Sequence, residues 1–251
     1  MHIYSHRGHC REALENSWQA FDLSLESKVD GIELDVHMTK DQEFVVIHDK
    51  ELSRTAKSSG IVKNMTRKEL SQVQLNNQGK IPFLDEVLAK YVPQLEINIE
   101  IKDYSEAAAK AFAEFYEKCS NQDRLLVSAI SPDTLIWLND LVPQIRLGIV
   151  YEPLGFRRLR PYMSYFLNKL INRVDLEAVH PIIDLVEARN VEMFNTLGLK
   201  INAWFPSASE KSLPDPYWSK ALDLEIDSII SNEPRALQKW LAGQAQKTDV
   251  S

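Results

Sequence analysis

A chain of 251 residues that is 44% hydrophobic and 26% charged has the balance of a folded globule, which excludes a disordered or low-complexity polymer. Its formal net charge of -7 has the wrong sign for a general binder of nucleic acid or anionic membrane, so any phosphate-bearing ligand must be held by a bound cation or by a few placed Arg and Lys side chains. The two cysteines, Cys10 and Cys119, lie too far apart to act as obvious staples, and free thiols in a reducing compartment are the simpler reading. The chain does not open on a charged-then-apolar leader, and no stretch reaches the roughly 20 apolar residues of a membrane span, so a cytoplasmic protein without membrane insertion is expected.

No repeat or Gly/Ser-rich linker interrupts the sequence, and a single domain over 1–251 is expected. Short β-prone runs alternate with stretches of helical period. Strands are expected at 2–5, 31–37, 95–101, 125–129, 146–150, 176–180, 199–204 and 228–231. Helices are expected between them, at 17–27, 105–119, 132–141, 185–197 and 234–241, several of them entered by Ser, Asp or Asn at the cap position. Eight strands with intervening helices fit an α/β fold of the (β/α)₈ TIM barrel type, although an open, doubly wound parallel sheet has the same local pattern. One segment breaks the rhythm. Residues 44–48 form a further β-run, and 49–82 carry polar turns such as Lys57-Ser58-Ser59-Gly60 and Asn76-Asn77-Gln78-Gly79. An insertion after the second strand, of the kind that often shapes an active site, is expected there.

The first stretch that carries chemistry is Gly31-Ile32-Glu33-Leu34-Asp35-Val36-His37. Alternate residues of a strand share a face, so Glu33 and Asp35 project together while Ile32, Leu34 and Val36 turn the other way. Two acids on a buried parallel strand need a partner, and a cation is the favoured one over a polar face turned to water, because desolvated like charges held close cannot both stay ionised alone. Asn98-Ile99-Glu100-Ile101-Lys102 repeats the pattern, with Glu100 and Lys102 on one side. On a single barrel Glu33, Asp35 and Glu100 would meet at the C-terminal mouth as oxygen donors suited to Mg²⁺ or Ca²⁺ rather than Zn²⁺. Taken alone, the two stretches fit unrelated strand charges equally well. His6, in His6-Arg7-Gly8, and His48, before Asp49, each stand at the end of a β-run, where barrel active sites lie; imidazoles there suit either proton transfer or structural hydrogen bonding.

Taken in order, these pieces resemble a known family. His6-Arg7-Gly8, Glu15-Asn16-Ser17, Ala20-Phe21, the run 31–36, Thr39-Lys40-Asp41, Val45-Val46-Ile47-His48-Asp49 and Leu52-Ser53-Arg54-Thr55 are similar to the N-terminal signature of the glycerophosphodiester phosphodiesterase family. Ile81-Pro82-Phe83-Leu84-Asp85-Glu86-Val87, the run 98–102 and Ser231-Asn232-Glu233-Pro234 extend the resemblance over nearly the whole chain. It implies a (β/α)₈ barrel with a small insertion after the second strand. It also implies hydrolysis of glycerophosphodiesters to glycerol 3-phosphate and an alcohol, with one divalent ion, Mg²⁺ or Ca²⁺, and a small-molecule phosphodiester as the partner. Position by position, the resemblance makes His6 and His48 the acid/base pair, with either one as the acid, and Glu33, Asp35 and Glu100 the metal ligands. It makes Arg7 and Lys102 phosphate-contacting cations, Glu15 an acid beside the first histidine, and His180 and Trp204 the lining of the far side of the pocket.

Leu14, Gln42-Glu43 and Phe205-Pro206 depart from the family pattern, and the change at Phe205 is expected to alter a wall of the pocket. His37 is expected as a loop hydrogen-bonder, and His9, Cys10 and Arg11 as a solvated loop. Two other readings are a lysophospholipase D that holds an acyl chain along 162–170, and a non-catalytic phosphoester-binding barrel. Pure binding, however, has no use for a proton-transfer pair.

Overall fold

The computed structural model describes residues 1–151, 167, 170–205 and 216–248. The apolar stretch expected at 162–170 falls almost entirely outside the described residues, as does Pro206. Strand β1 (His2–His6) pairs in parallel with β2 (Gly31–Met38), and β3 (Phe44–Val46) returns antiparallel along the end of β2. The series continues through β4 (Glu96–Ile101), β5 (Leu125–Ala129), β6 (Leu147–Tyr151), β7 (Leu176–Pro181), β8 (Lys200–Trp204) and β9 (Ser228–Ser231). Each of these is parallel to its neighbour, and β9 closes back on β1. Closure decides for the TIM barrel over the open sheet.

Period-two alternation sorts the side chains. Ile32, Leu34, Val36, Ile97, Ile99 and Ile101 join the apolar core, which leaves Glu33, Asp35, Asn98 and Glu100 on the opposite face of the same strands. The helices that cover the core begin where the sequence supplies caps. Ser17 accepts from the Ala20 amide to start α1 (Trp18–Glu26), and in the insertion Thr66 and Glu69 form a capping box for the short α2 (Arg67–Leu70). Helix α3 (Leu84–Tyr91) follows the insertion, and Ser105 and Ser131 cap α4 (Glu106–Tyr116) and α5 (Pro132–Leu141). Farther on come α6 (Ala188–Thr196), α7 (Pro216–Asp223) and α8 (Pro234–Thr248). Among the described residues no helix is long and apolar enough to cross a membrane.

The insertion is not a loose loop. Ile47, Leu52, Val62, Leu70, Leu75, Ile81 and Phe83 bury one another in a second apolar cluster beside the main one. At about 1.5–3 kcal/mol per fully buried aliphatic side chain, Leu52 and Leu70 each help offset the entropy of ordering this segment.

Candidate active site

Strand register assembles the site. His6 lies opposite Glu33 across β1 and β2, and Asp35 lies opposite Glu100 across β2 and β4. One carboxylate oxygen from each of Glu33, Asp35 and Glu100 falls within 4.8 Å of the others, and all three residues are buried. Burial, and then the neighbouring Asp35 and Glu100 charges, push the Glu33 carboxyl well above the usual carboxylate range. Burial likewise lifts Glu100 to about 7, against the opposing pull of Lys102. Burial would raise Asp35 too, but Arg7 and Lys102 outweigh it and hold that carboxyl well below its ordinary value.

The two cations come from strand ends. Lys102 Nζ donates to Glu100 Oε1 at 2.6 Å and stands 3.2 Å from Asp35 Oδ1. Arg7 adopts φ 56 in the left-handed region, a strained state for a non-glycine residue, and so turns its amide to Glu33 Oε2 at 3.1 Å and its guanidinium Nε to within 3.1 Å of Asp35 Oδ2. The next residue must be glycine: Gly8 has φ +77, and a Cβ there would sit 2.8 Å from the Ala20 backbone. Asn16 completes the loop by donating through Nδ2 to Asp35 Oδ2 at 2.8 Å.

The two histidines are held differently. His6 is buried, and its Nδ1 meets Asn232 Oδ1 at 2.8 Å. The Asn232 amide donates to the Phe205 carbonyl at 3.3 Å, which turns its oxygen toward the ring; Nδ1 of His6 therefore carries the hydrogen and Nε2 the lone pair. Burial, and then the Arg7 charge, lower the His6 imidazolium to about 3. His48 follows β3 and is about one-third exposed, with Nδ1 at 2.7 Å from Asp49 Oδ1. Its carbonyl accepts from His37 Nε2 at 3.0 Å, so His37, expected in a loop, is a residue of β2 that steadies the turn carrying His48.

His6, Arg7, Glu33, His48, Glu100 and Lys102 line one cavity, which His180 and Trp204 also line. Of the residues expected in the site, Asp35 and Glu15 stand back from this lining: Asp35 is fully buried beside Glu33 and Glu100, and Glu15 accepts from Arg7 Nη1 at 2.9 Å and so supports the guanidinium. His180 faces the cavity with both ring nitrogens already engaged, Nδ1 at 3.3 Å from the Asn98 amide and Nε2 at 3.2 Å from that of Asn202. Gly148 makes room for it, since a Cβ there would lie 2.5 Å from Nε2. Trp204 donates through Nε1 to the His180 carbonyl at 3.1 Å and presents its ring 6.4 Å from that of His6. Two expectations are corrected. Phe205 is no pocket wall: its ring is fully buried against Tyr217, and only its carbonyl serves the site, by anchoring Asn232. His9 is not in a solvated loop but is buried, with its ring nitrogens at 3.1 Å from Glu12 and 2.9 Å from Ser27.

Residues 6–236 match the model of the glycerophosphoryl diester phosphodiesterase family. The chain belongs to that family. A relative described as a glycerophosphodiester phosphodiesterase from Caldanaerobacter subterraneus is 26% identical over 254 residues, which cover 94% of this chain and 95% of the relative. The crystal structure of a glycerophosphodiester phosphodiesterase from Thermotoga maritima aligns with a TM-score of 0.76 at 27% identity, covering 95% of this chain and 97% of that one. A phosphodiesterase from Oleispira antarctica, solved in complex with the product sn-glycerol-3-phosphate, shares the fold with a TM-score of 0.81 at 22% identity, covering 96% and 97% of the two chains.

The carboxylate cluster of this family member fits a hard divalent cation. The donors are all oxygens, and burial makes their mutual repulsion expensive. Asp35 Oδ1 is buried with the Lys102 ammonium 3.2 Å away but makes no hydrogen bond among the described residues, so it keeps lone-pair capacity for a cation. Sequence reading missed four supporting groups: Asn16, Asp49, Arg54 and Asn232. Asn16 and Asn232 lie inside the quoted signature runs but carry no titratable or nucleophilic signal of their own, Arg54 reads as an ordinary surface cation, and Asp49 reads as a mere neighbour of His48.

Proposed function

We propose that the chain hydrolyses glycerophosphodiesters to glycerol 3-phosphate and an alcohol in a divalent-metal-dependent reaction, with His6 and His48 moving the protons. The observation that carries this reading is a cavity lined by Glu33, Glu100, two cations and two imidazoles, with the buried Asp35 carboxylate clustered against the two glutamates. The product found in the Oleispira relative is the glycerol phosphate this reaction would release.

Glu33, Asp35 and Glu100 would hold the ion, Mg²⁺ or Ca²⁺ by donor type. When bound, such an ion withdraws charge from the non-bridging phosphate oxygens. Arg7 and Lys102 complete that neutralisation and orient the phosphate for in-line displacement. His6 enters the cycle neutral, with the Nε2 lone pair free, and takes the proton of the attacking hydroxyl. His48, whose Nδ1 is paired with the Asp49 carboxylate, gives its Nε2 proton to the departing alkoxide. Trp204 and His180 also line the cavity and would contact the substrate there. Cys10 and Cys119, which form no disulfide with each other, accord with a reducing, cytoplasmic setting.

The test is choline release from glycerophosphocholine and from lysophosphatidylcholine, each with Mg²⁺, with Ca²⁺ and with EDTA. Turnover of the first substrate that EDTA abolishes is the expected result. Preference for the acylated substrate would move the assignment to a lysophospholipase D, and binding without turnover would make the barrel a phosphoester receptor.

A further inference from the structure

The His48 and Arg7 sides of the cavity come from separate segments, the turn after β3 and the loop after β1, and one side chain outside the cavity joins them. Arg54, in the insertion, donates through Nη1 to Glu15 Oε2 and through Nη2 to Glu15 Oε1, both at 2.8 Å. The same guanidinium donates through Nε to Asp49 Oδ2 and through Nη2 to Asp49 Oδ1, the latter at 3.1 Å. Each carboxylate has a second partner that lines the cavity. Asp49 Oδ1 meets His48 Nδ1 at 2.7 Å, and Glu15 Oε1 accepts from Arg7 Nη1 at 2.9 Å. The Arg54 backbone is itself fixed, since its carbonyl accepts from Asn76 Nδ2 at 3.0 Å.

An isolated ion pair on a surface contributes little, and Arg54 is 44% exposed. This one is not isolated. Two forks on one planar group set the spacing of two carboxylates, and the carboxylates in turn set the orientation of an imidazole and a guanidinium. Lysine could supply the charge but not the paired donors in fixed geometry. We infer that Arg54 is a positioning residue for the reaction proposed above: through Asp49 and Glu15 it holds the His48 imidazole and the Arg7 guanidinium in register across the bound phosphate. The inference rests on that functional reading.

The experiment is steady-state hydrolysis of glycerophosphocholine by the full chain as wild type, Arg54→Ala and Arg54→Lys, with and without millimolar guanidinium chloride. Loss of a supporting partner of this kind lowers activity by about 10–100-fold. That loss is expected in kcat for Arg54→Ala, with a smaller rise in KM through Arg7. Because the side chain is exposed, free guanidinium can enter the gap and restore part of kcat, whereas sodium chloride at equal ionic strength restores none. Arg54→Lys, which keeps the charge and most of the stem, is expected to stay impaired. It serves as the second variant should Arg54→Ala fail to fold. Wild-type kinetics in Arg54→Lys, or equal rescue by sodium and guanidinium, would overturn the inference while leaving the functional reading intact. An inert wild type would overturn both.

Discussion

The two histidines face one cavity from different ground. His6 ends a barrel strand, is buried, and is backed by a neutral amide from the opposite end of the chain. His48 stands on the turn into the insertion, is partly open to solvent, and is backed by a carboxylate that an exposed arginine holds in place. The difference teaches how such a site divides its tasks. The barrel half confines charge where desolvation makes it costly, an arrangement that a bound cation would relieve. The insertion half leaves its imidazole about one-third exposed and orients it with ion pairs, on a segment that has a buried apolar cluster of its own.

Substituting the histidines should break both halves alike in activity but not in stability. His6→Ala and His48→Ala are each expected to lower kcat by about 10²–10⁴-fold. In urea titrations His6→Ala should also cost about 1–3 kcal/mol, because the Asn232 oxygen loses a buried partner. His48→Ala should stay within about 0.5 kcal/mol of wild type. Equal stabilities for the two variants would remove the distinction between the halves.

Glu33→Gln sharpens the barrel side. The variant keeps an oxygen for the Arg7 amide but removes one of three crowded, buried charges. Activity should fall by about 10²-fold or more, while the metal-free protein melts higher than wild type, the exchange of stability for function expected of a strained site. A lower melting temperature in EDTA would show that the cluster is not under electrostatic strain. Asn232→Leu should act more mildly, lowering kcat by about tenfold as His6 loses the partner that fixes its tautomer, with Asn232→Asp retaining more activity than Asn232→Leu.

The smallest effect belongs to the far end of the barrel and serves as a control. Glu177 accepts from Arg146 and Lys200, and the Arg146 hydrogen bond is the main cause of its carboxyl falling to about 2. A depressed carboxyl stabilises the fold above its unfolded pKa, so this contribution should fade as pH falls from about 4.5 toward 2. Glu177 is only half buried, and solvent screening keeps its worth to at most about 1 kcal/mol. Glu177→Gln should therefore flatten the acid limb of a pH–stability curve and leave turnover at pH 7 unchanged.

The barrel half was the more legible in sequence. Alternation in 31–37 and 98–102 places the acids on one face whatever the fold, and the parallel register needs only adjacent strands to join them. The insertion was visible as a break in rhythm, but its compact apolar cluster was not, because Leu52, Leu70 and Phe83 follow neither period two nor period 3.6. Helix α3 escaped notice for a local reason: Phe83 precedes it and offers no side-chain cap. Asn232 sits 226 positions from His6 and is brought to it only by β9 closing on β1. Arg54 reaches Glu15 across 39 positions through the folded insertion, a contact that no local pattern encodes.

The most direct test of the central claim is an anomalous difference map from crystals of the protein soaked in Mn²⁺. One strong peak bounded by oxygens of Glu33, Asp35 and Glu100, lost in Glu100→Gln, is the predicted result. Ordered crystals with no peak among these three carboxylates, or with the ion seated elsewhere in the cavity, would contradict it.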